Sequence, residues 1–457
     1  MVCRCDTIEP VTEFWLLLFS FLPPQSQPQG SIEEDFKVYS DHPRLFLNQR
    51  RLRLLKRERE RTSLRWQQFE ILMEGKAVMP EPGFSSALYY QVTGKKEHGR
   101  RAVQWALGPG ADGDLRQLAL VFDWCQELLS EVESRQLAGR LRKGLAAQGT
   151  ASISAMRDGA LAAVALAGHA PDNSEFHLSA LVQNWWRKRT APALRSGTAV
   201  IGREDLYAFC ELLHAIQDNV KLDLREDAAR YFKELPAFLL LAYYPATFPA
   251  AENEYRIPVY QGDGQPDLRL ATLSRAAELC MVAYDTNNQE LQYLQGWLIN
   301  DRFVLRSPFG ITYEFLWANP YQPGLSYYHF PLHVHDPLTG RLLIRSSWEE
   351  SALWFYYDRG KVQMFENGTR KEMTGRSAKP LEIGSSIIHF GASSMKFQVA
   401  SGEDPLVCYV INLKAGARYE VEIDDEELAE HAADRGGIVS LGFAKDISTG
   451  VRLRERR

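Results

Sequence analysis

Four polar side chains at helical spacing are the first residues of this chain that could do chemistry. Tyr207, Glu211, His214 and Asp218 follow one another in steps of four, three and four residues, which puts them on one face of a helix. Tyr and His can act as general base or acid, so Tyr207, Glu211 and His214 are candidate catalytic residues. A hydrogen-bonded network between packed helices would use the same spacing, and the pattern leaves that alternative open.

A second group of candidates lies in the aromatic segment Trp317–Pro337, "WANPYQPGLSYYHFPLHVHDP". His329 stands among tyrosines and is a candidate catalytic residue in a cleft. Asn319, Tyr321 and Tyr328 are candidate substrate-binding residues, because aromatic rings and amide groups are common in the walls of binding sites.

The histidines later in this segment raise the question of a metal site. His333 and His335 alternate to one face of a strand beside Asp336, and two imidazoles with a carboxylate could bind zinc. The His-x-His spacing also occurs by chance in loops, so we expect no metal and no other cofactor. The six cysteines include no CxxC pair, which favours buried free thiols over a metal or redox site.

The elements that must position these residues change type along the chain. From residue 41 to residue 305 the pattern predicts about ten to twelve helices in succession, with apolar stripes such as Leu181, Val182, Trp185 and Trp186. No repeat period is visible, so the helix pairs predict an α/α toroid or a bundle, of which we favour the toroid.

From residue 306 to residue 457 the sequence pattern predicts short strands bounded by turn residues. The stretches are rich in β-branched and aromatic residues, and the tripeptides Asp-Arg-Gly (358–360) and Glu-Asn-Gly (366–368) are hairpin signals. This region predicts an antiparallel β-sandwich of about eight to ten strands.

Length and charge bound the class of protein. A chain of 457 residues with 45% hydrophobic and 24% charged residues predicts a soluble globular protein of two or three domains. The net charge of −5 gives no electrostatic reason to expect nucleic acid or an anionic membrane as a partner. The arginine-rich stretch 50–65 is interpreted as a solvated helix face, with a polyanion-binding patch as the alternative.

Residues 1–40 are expected to be a signal segment and linker. The apolar run Trp15–Leu22 is too short to span a bilayer and is followed by a Pro/Gln-rich stretch, as in a secretory signal. The acidic residues Asp6, Glu9 and Glu13 depart from the positively charged segment that normally precedes the apolar run of a secretory signal. A disordered tail is the alternative interpretation. We expect a periplasmic or extracellular protein without stable membrane insertion.

Three segments resemble the heparinase II/III-like polysaccharide lyases. They are "DHPRLFLNQRRLRLL", the helix pair "ALYYQVTGKKEHGRRAVQWAL" and "LALVFDWCQELLSEVESRQLAGRL", and the strand pair "RSSWEESALWFYYDRG". The resemblance covers residues 41–360 and implies a toroid followed by a β-sandwich. It also implies β-elimination beside a uronic acid, so the partner would be an acidic polysaccharide or oligosaccharide.

Such a lyase neutralises the uronate carboxylate, takes the C5 proton with a base and protonates the leaving oxygen with an acid. In the lyases that this chain resembles, a helical Tyr serves as base and acid, and Tyr207 is the best match. The insertion between helices places Tyr255 and Arg256 where a rim could grip an acidic sugar, or where the loop packs on the helices.

Two catalytic positions of that family, an Asn in the toroid and a His after the strand pair, have no counterpart here. Their absence favours an alternative, a non-catalytic glycan-binding or envelope protein with the lyase fold. A further alternative is a toroid glycoside hydrolase, which would need two opposed carboxylates such as Asp158 and Glu211.

Overall fold

The computed structural model of the chain describes residues 34–75, 77–149, 152–250, 254–262, 264–285, 288–300, 304–373, 377, 379–424 and 427–456. Residues 1–33 of the predicted signal segment and linker lie outside the described residues. The segment Phe36–Arg457 forms one unit, in which a helical part precedes a part built of sheets. Helix Ile311–Trp317 lies beyond residue 305, inside the segment predicted to form strands, and the first strand of the main sheets begins at His333.

The helical part contains these α-helices: α1 Gln49–Glu60, α2 Leu64–Glu74, α3 Pro82–Thr93, α4 Lys96–Leu107, α5 Leu115–Trp124, α6 Glu131–Ala147, α7 Ile153–Leu166, α8 Pro171–Ala180, α9 Ala191–Arg195, α10 Arg203–Val220, α11 Ala229–Leu241, α12 Leu268–Tyr284, α13 Gln289–Asn300 and α14 Ile311–Trp317. Side chains of Asp or Ser cap several of them, as their sequence positions predict. Ser130 and Glu133 form a capping box at the start of α6, and Asp114 caps α5.

The order of helix contacts runs along the chain and returns to its start. Helix α3 packs on α5, α5 on α7, α7 on α10, α10 on α12, α12 on α14, and α14 on α3. Helices α4, α6, α8 and α13 each pack against a member of this series. The polar stripe of α10 therefore meets helices that lie far from it in the sequence.

The predicted apolar stripe with two tryptophans is confirmed. Leu181, Val182, Trp185 and Trp186 are buried, in a π-helical segment Leu181–Thr190 that continues α8. The wider π turn places residues five apart over one another, which suits a stripe with members at i, i+4 and i+5.

The strands are β1 Phe248–Pro249, β2 Glu254–Tyr255, β3 His333–Asp336, β4 Arg341–Arg345, β5 Trp354–Asp358, β6 Lys361–Glu366, β7 Thr369–Met373, β8 Leu381–Ile383, β9 Ser386–Phe390, β10 Ser394–Ala400, β11 Leu406–Ile411, β12 Arg418–Ile423, β13 Glu427–Ala432, β14 Val439–Phe443 and β15 Ser448–Glu455. Within the described residues, the orders are β1-β2, β3-β4-β5-β6-β7, β14-β11-β9-β8 and β10-β15-β12-β13. The pairings are antiparallel, as predicted, except that β9 and β11 run parallel.

The inner strands β4 and β5 of the five-stranded sheet are buried on both faces, and their side chains alternate between two cores. Leu343, Trp354 and Tyr356 belong to the core of the helical part, whereas Leu342 and Phe355 belong to a core shared with β9 and β11. This sheet thus packs between the helices and the second sheet, which explains the nearly unbroken apolar character of β4 and β5.

Both predicted hairpins form. Asp358 pairs with Lys361 across the Arg359-Gly360 turn, and Glu366 pairs with Thr369 across the Asn367-Gly368 turn. All four turn residues have positive φ, as the two-residue turns that match strand twist require. The four described cysteines are buried free thiols, as predicted, and no described helix is both long and apolar enough for a membrane span.

We predict that Trp186→Ala lowers the free energy of unfolding by about 3–5 kcal/mol. The Trp186 ring is fully buried against Phe209 and Phe232, and its Nε1 donates a hydrogen bond to Asp227. Chemical denaturation measures the change. The control Phe176→Ala removes a ring that is 70% exposed and should change stability by less than about 0.5 kcal/mol. Equal effects of the two changes would contradict the packing described here.

Candidate functional site

A cavity of about 770 Å³ opens between helix α1, the second half of α10, the end of α12 and the segment that follows α14. We call it the arginine cavity, because four arginines line it and Asp218 is the one carboxylate in its lining. Its lining is Phe46, Asn48, Arg50, Arg51, Arg53, Leu54, Arg57, His214, Gln217, Asp218, Ala283, Tyr284, Gln292, Trp317, Asn319, Tyr321, Gln322 and Pro323. The lining is therefore cationic at neutral pH.

Trp317, at the end of α14, organises the inner wall of the arginine cavity. Its carbonyl oxygen accepts a hydrogen bond of 3.1 Å from Arg51 Nη1, and the Arg51 guanidinium lies 5.5 Å from the ring centroid. The His214 ring lies 4.7 Å from the same ring. The indole thus holds one cation and one imidazole at the wall.

Arg51 carries its charge in a poorly solvated position. Burial lowers the pKa of Arg51 to about 10, and the attraction of nearby groups such as Asp218 offsets only part of this effect. The side chain stays protonated at neutral pH, and an anion that enters the cavity would relieve the cost of burying it.

The outer wall combines an exposed tyrosine with arginines. The guanidinium groups of Arg57 and Arg61 lie 4.4 and 5.1 Å from the centroid of the Tyr321 ring. Arg50, Arg53 and Arg57 are exposed. The arginine-rich stretch is thus a largely solvated helix face, as interpreted, and four of its arginines also line the arginine cavity.

His214 is the one predicted catalytic residue that lines the arginine cavity. Its Nε2 lies 2.9 Å from the carbonyl oxygen of Cys280, which can only accept a hydrogen bond. In the neutral ring Nε2 therefore carries the hydrogen, and Nδ1, 3.7 Å from Asp218 Oδ2, keeps its lone pair. His214 and Tyr284 also line a second, more apolar cavity of about 380 Å³.

Tyr207 and Glu211, by contrast, lie in a buried charge network below this wall. Arg116 from α5 contacts Glu211 at 2.6 Å, and Arg157 from α7 contacts it at 2.6 Å. The Tyr207 hydroxyl donates to Glu211 at 2.7 Å and accepts from Trp317 Nε1 at 3.0 Å. Neither Tyr207 nor Glu211 lines the arginine cavity.

The electrostatics of this network favour a structural role. Burial would raise the pKa of Glu211, but the ion pairs with Arg116 and Arg157 outweigh it and lower that pKa. Burial, and then the adjacent Glu211 carboxylate, raise the pKa of Tyr207 well above its usual value. The expectation that these two side chains face a cleft together with His214 is not met, because their partners on α5 and α7 turn them inward.

The pair of carboxylates considered for a hydrolase is joined by one cation. Arg157 contacts both Asp158 and Glu211. Glu211 is fully buried, so it does not face Asp158 across an open cleft. The arrangement gives no place for a sugar between the two groups.

The remaining predicted residues divide between two places. Asn319 and Tyr321 line the arginine cavity with His214, although they come from distant parts of the sequence. Tyr328 and His329 are exposed on a short 3₁₀ turn at Tyr327–His329, where the helical part meets the first sheet. Tyr328 stacks on Tyr327 rather than on the residues around His214.

The two predicted residues in the insertion between α11 and α12, Tyr255 and Arg256, have different surroundings. Tyr255 is buried in the helical core. The Arg256 side chain is 18% exposed, lies 5.1 Å from the Trp297 ring and is 3.9 Å from Glu350.

The two histidines of β3 have protein partners. His335 Nε2 lies 2.7 Å from Asp434, and His333 contacts the Tyr409 ring. In the described part of the chain, no three His, Cys, Asp or Glu side chains are arranged to hold a metal ion.

In comparisons with known proteins, this chain matches solved structures with low sequence identity and low TM-scores. No protein-family model matches the chain, and no curated protein sequence matches it. The structure of the heparan sulfate lyase HepC from Pedobacter heparinus is 12% identical with a TM-score of 0.39, and the match covers 82% of this chain and 75% of that one. The structure of heparinase III is 9% identical with a TM-score of 0.39, and the match covers 82% of this chain and 76% of that one.

A third structure, described as a glycoside hydrolase, is 8% identical with a TM-score of 0.32 over 82% of this chain and 71% of that one. At such scores and identities, these similarities assign neither the fold nor the activity of this chain.

We predict that Glu211→Gln lowers the free energy of unfolding by about 3–5 kcal/mol, because it leaves two buried guanidinium groups without their shared carboxylate. The folded-state pKa of Glu211 is lowered, so its contribution is present above the unfolded pKa of about 4.3 and is lost as the pH falls. Denaturation curves at neutral and acidic pH measure both effects.

The matched control is Glu234→Gln, which breaks an exposed pair with Arg230 and should cost about 0.3–0.5 kcal/mol. The Glu211→Gln variant should also lose part of the acid sensitivity of the wild type. A Glu211→Gln variant as stable as the control would show that the network does not hold these helices together.

Proposed function

We propose that this protein binds an acidic oligosaccharide in the arginine cavity. The observation that carries the proposal is the charge of the lining, four arginines against the single carboxylate of Asp218. Arginine is suited to this task because its planar fork of donors matches the geometry of a carboxylate or sulfate. An uncharged ligand would leave these cations without a partner.

The neutral part of the lining fits a sugar. Trp317, Tyr284 and Tyr321 present aromatic surface, on which the apolar face of a pyranose can rest. Amide groups of Gln217, Asn319 and neighbouring residues can exchange hydrogen bonds with hydroxyl groups. A volume of about 770 Å³ is ample for a short oligosaccharide.

The proposal extends to the architecture and location of the protein. The helix contacts that lead from α3 through α14 back to α3 support an α/α toroid, and the stacked sheets support a sandwich that follows it. The domain limits at 41–305 and 306–457 and a periplasmic or extracellular location remain part of this proposal.

The reaction that the site would support is β-elimination at a uronic acid. Nδ1 of His214 is the lone-pair nitrogen at the cavity wall, and Arg51 lies beside the same indole ring. With the uronate carboxylate on the arginines, Nδ1 would take the C5 proton, and the C4–C5 double bond would form as the C4–O bond breaks. The leaving oxygen would then receive a proton from the His214 imidazolium or from water. The alternative, a non-catalytic glycan-binding protein, needs the arginines but not His214.

Binding is tested with Arg53→Gln/Arg57→Gln, which removes two exposed cavity charges without touching the core. At about 0.2–1 kcal/mol for each exposed charge contact, the Kd for a uronate oligosaccharide should rise roughly 2- to 30-fold. Isothermal titration calorimetry measures it. Added salt should weaken wild-type binding, because it screens these charges.

The control is Lys188→Gln/Arg189→Gln, which removes the same net charge from exposed positions outside the cavity lining. It should bind as the wild type does. An equal loss in both variants, or equally tight binding of a neutral oligosaccharide by the wild type, would contradict the proposed ligand.

Turnover separates the enzyme from the binding protein. His214→Gln should lower the rate of appearance of the unsaturated product about 10²- to 10⁴-fold, because it removes the base, while the Kd changes little. Tyr207→Phe removes only the hydrogen bonds by which the hydroxyl supports Trp317 from below, so it should lower the rate far less than His214→Gln does. Loss of activity in Tyr207→Phe alone would restore Tyr207 as the base. Wild-type binding without turnover on any uronate polysaccharide would assign the non-catalytic alternative.

A further inference from the structure

Two of the buried thiols lie side by side. Cys210 of α10 and Cys280 of α12 are 2% and 0% exposed, and their side chains are in hydrogen-bonding contact. Burial, and then this contact with Cys210, raise the pKa of Cys280 well above its usual value. Among the described cysteines, which also include Cys125 and Cys408, only these two have another thiol as a contact partner.

The helices that carry the two thiols are matched in register. One turn after Cys210, His214 Nε2 lies 2.9 Å from the carbonyl oxygen of Cys280. One turn after Cys280, the Tyr284 ring meets the His214 ring edge to face at 5.0 Å. The contact between the thiols thus belongs to a series of contacts that holds α10 against α12.

Empty space adjoins the two sulfur atoms. Cys210 and Cys280 both line the second cavity, of about 380 Å³. A disulfide requires the sulfur atoms to approach to about 2.05 Å. Because the side chains border a cavity, they can turn toward each other without overpacking the core.

We propose that Cys210 and Cys280 are an oxidation site, at which a disulfide forms when the chain folds in an oxidising compartment. The oxidant is a disulfide of low molecular weight, such as oxidised glutathione. One cysteine thiolate attacks it and releases one thiol, and the second thiolate attacks the mixed disulfide, closes the Sγ–Sγ bond and releases the other thiol. Two protein thiols are oxidised, the reagent is reduced to two thiols, and the protons of the cysteines pass to them.

The reaction belongs to folding, because both thiols are buried in the folded chain and buried thiols react slowly. A bond between residues 210 and 280 restricts the unfolded chain and so stabilises the fold. It would also add α12 to the helices that Glu211, the neighbour of Cys210, already joins. The site stands on the contact of the thiols, whereas its oxidation in the cell rests on the proposed periplasmic or extracellular location.

The test compares the full chain produced in a reducing and in an oxidising bacterial cytosol. Free thiols are alkylated after denaturation, and the chain is digested without reduction for mass spectrometry. The oxidised form should give the Cys210 peptide joined to the Cys280 peptide, with Cys125 and Cys408 alkylated. The reduced form should melt about 2–5 °C lower, which is the usual effect of such a bond scaled to a chain of this length.

Cys210→Ala should abolish the difference in Tm between the two forms, whereas the matched control Cys408→Ala should keep it. Cys280→Ala serves the same purpose if Cys210→Ala does not fold. The proposal is overturned if both thiols are alkylated in the oxidised form, or if the difference in Tm survives Cys210→Ala. Neither result touches the proposed function, because that is measured by the Kd for the uronate oligosaccharide.

Discussion

The structure depends on one buried carboxylate, that of Glu211. It joins Arg116 of α5 and Arg157 of α7 to α10, and through Tyr207 it fixes the indole of Trp317 on α14. Charges in a protein interior are costly unless they are paired and hydrogen-bonded, so this network tolerates few alternative arrangements. Four helices that are distant in sequence are thereby held in one register.

The consequences reach the candidate site through Trp317. One edge of the indole is tied to Tyr207 in the interior, while its ring and carbonyl group hold Arg51 and His214 at the cavity wall. Tyr207 thus supports the site from below, and His214 faces it. Arg116 and Arg157 are neutralised by protein carboxylates, whereas Arg51 forms no ion pair with any described carboxylate.

Local sequence signals predicted local structure well. The stripe with Trp185 and Trp186, the Asp-Arg-Gly and Glu-Asn-Gly hairpins and the change from helices to strands each depend on a few neighbouring residues, and each is present. The parallel pairing of β9 with β11 was not predicted, because strand order depends on contacts between distant segments.

The candidate site was predicted only in part, because it too depends on contacts between residues that are distant in the sequence. The spacing of Tyr207, Glu211 and His214 indicates a shared helix face, but the direction of that face depends on Arg116 and Arg157. Arg51 looked solvated, because nothing local reveals that Trp317 packs beside it. Clustering of arginines at positions 50, 51, 53 and 57 was the available signal, and a net positive stretch in an acidic chain could have given it more weight.

The most direct test of this account is a crystal structure of the protein with a bound uronate oligosaccharide. We predict a uronate carboxylate within hydrogen-bond distance of Arg51 or Arg53, a sugar ring against Trp317 or Tyr321, and His214 Nδ1 facing the ligand. An oligosaccharide bound elsewhere, with the arginine cavity holding only solvent, would contradict it.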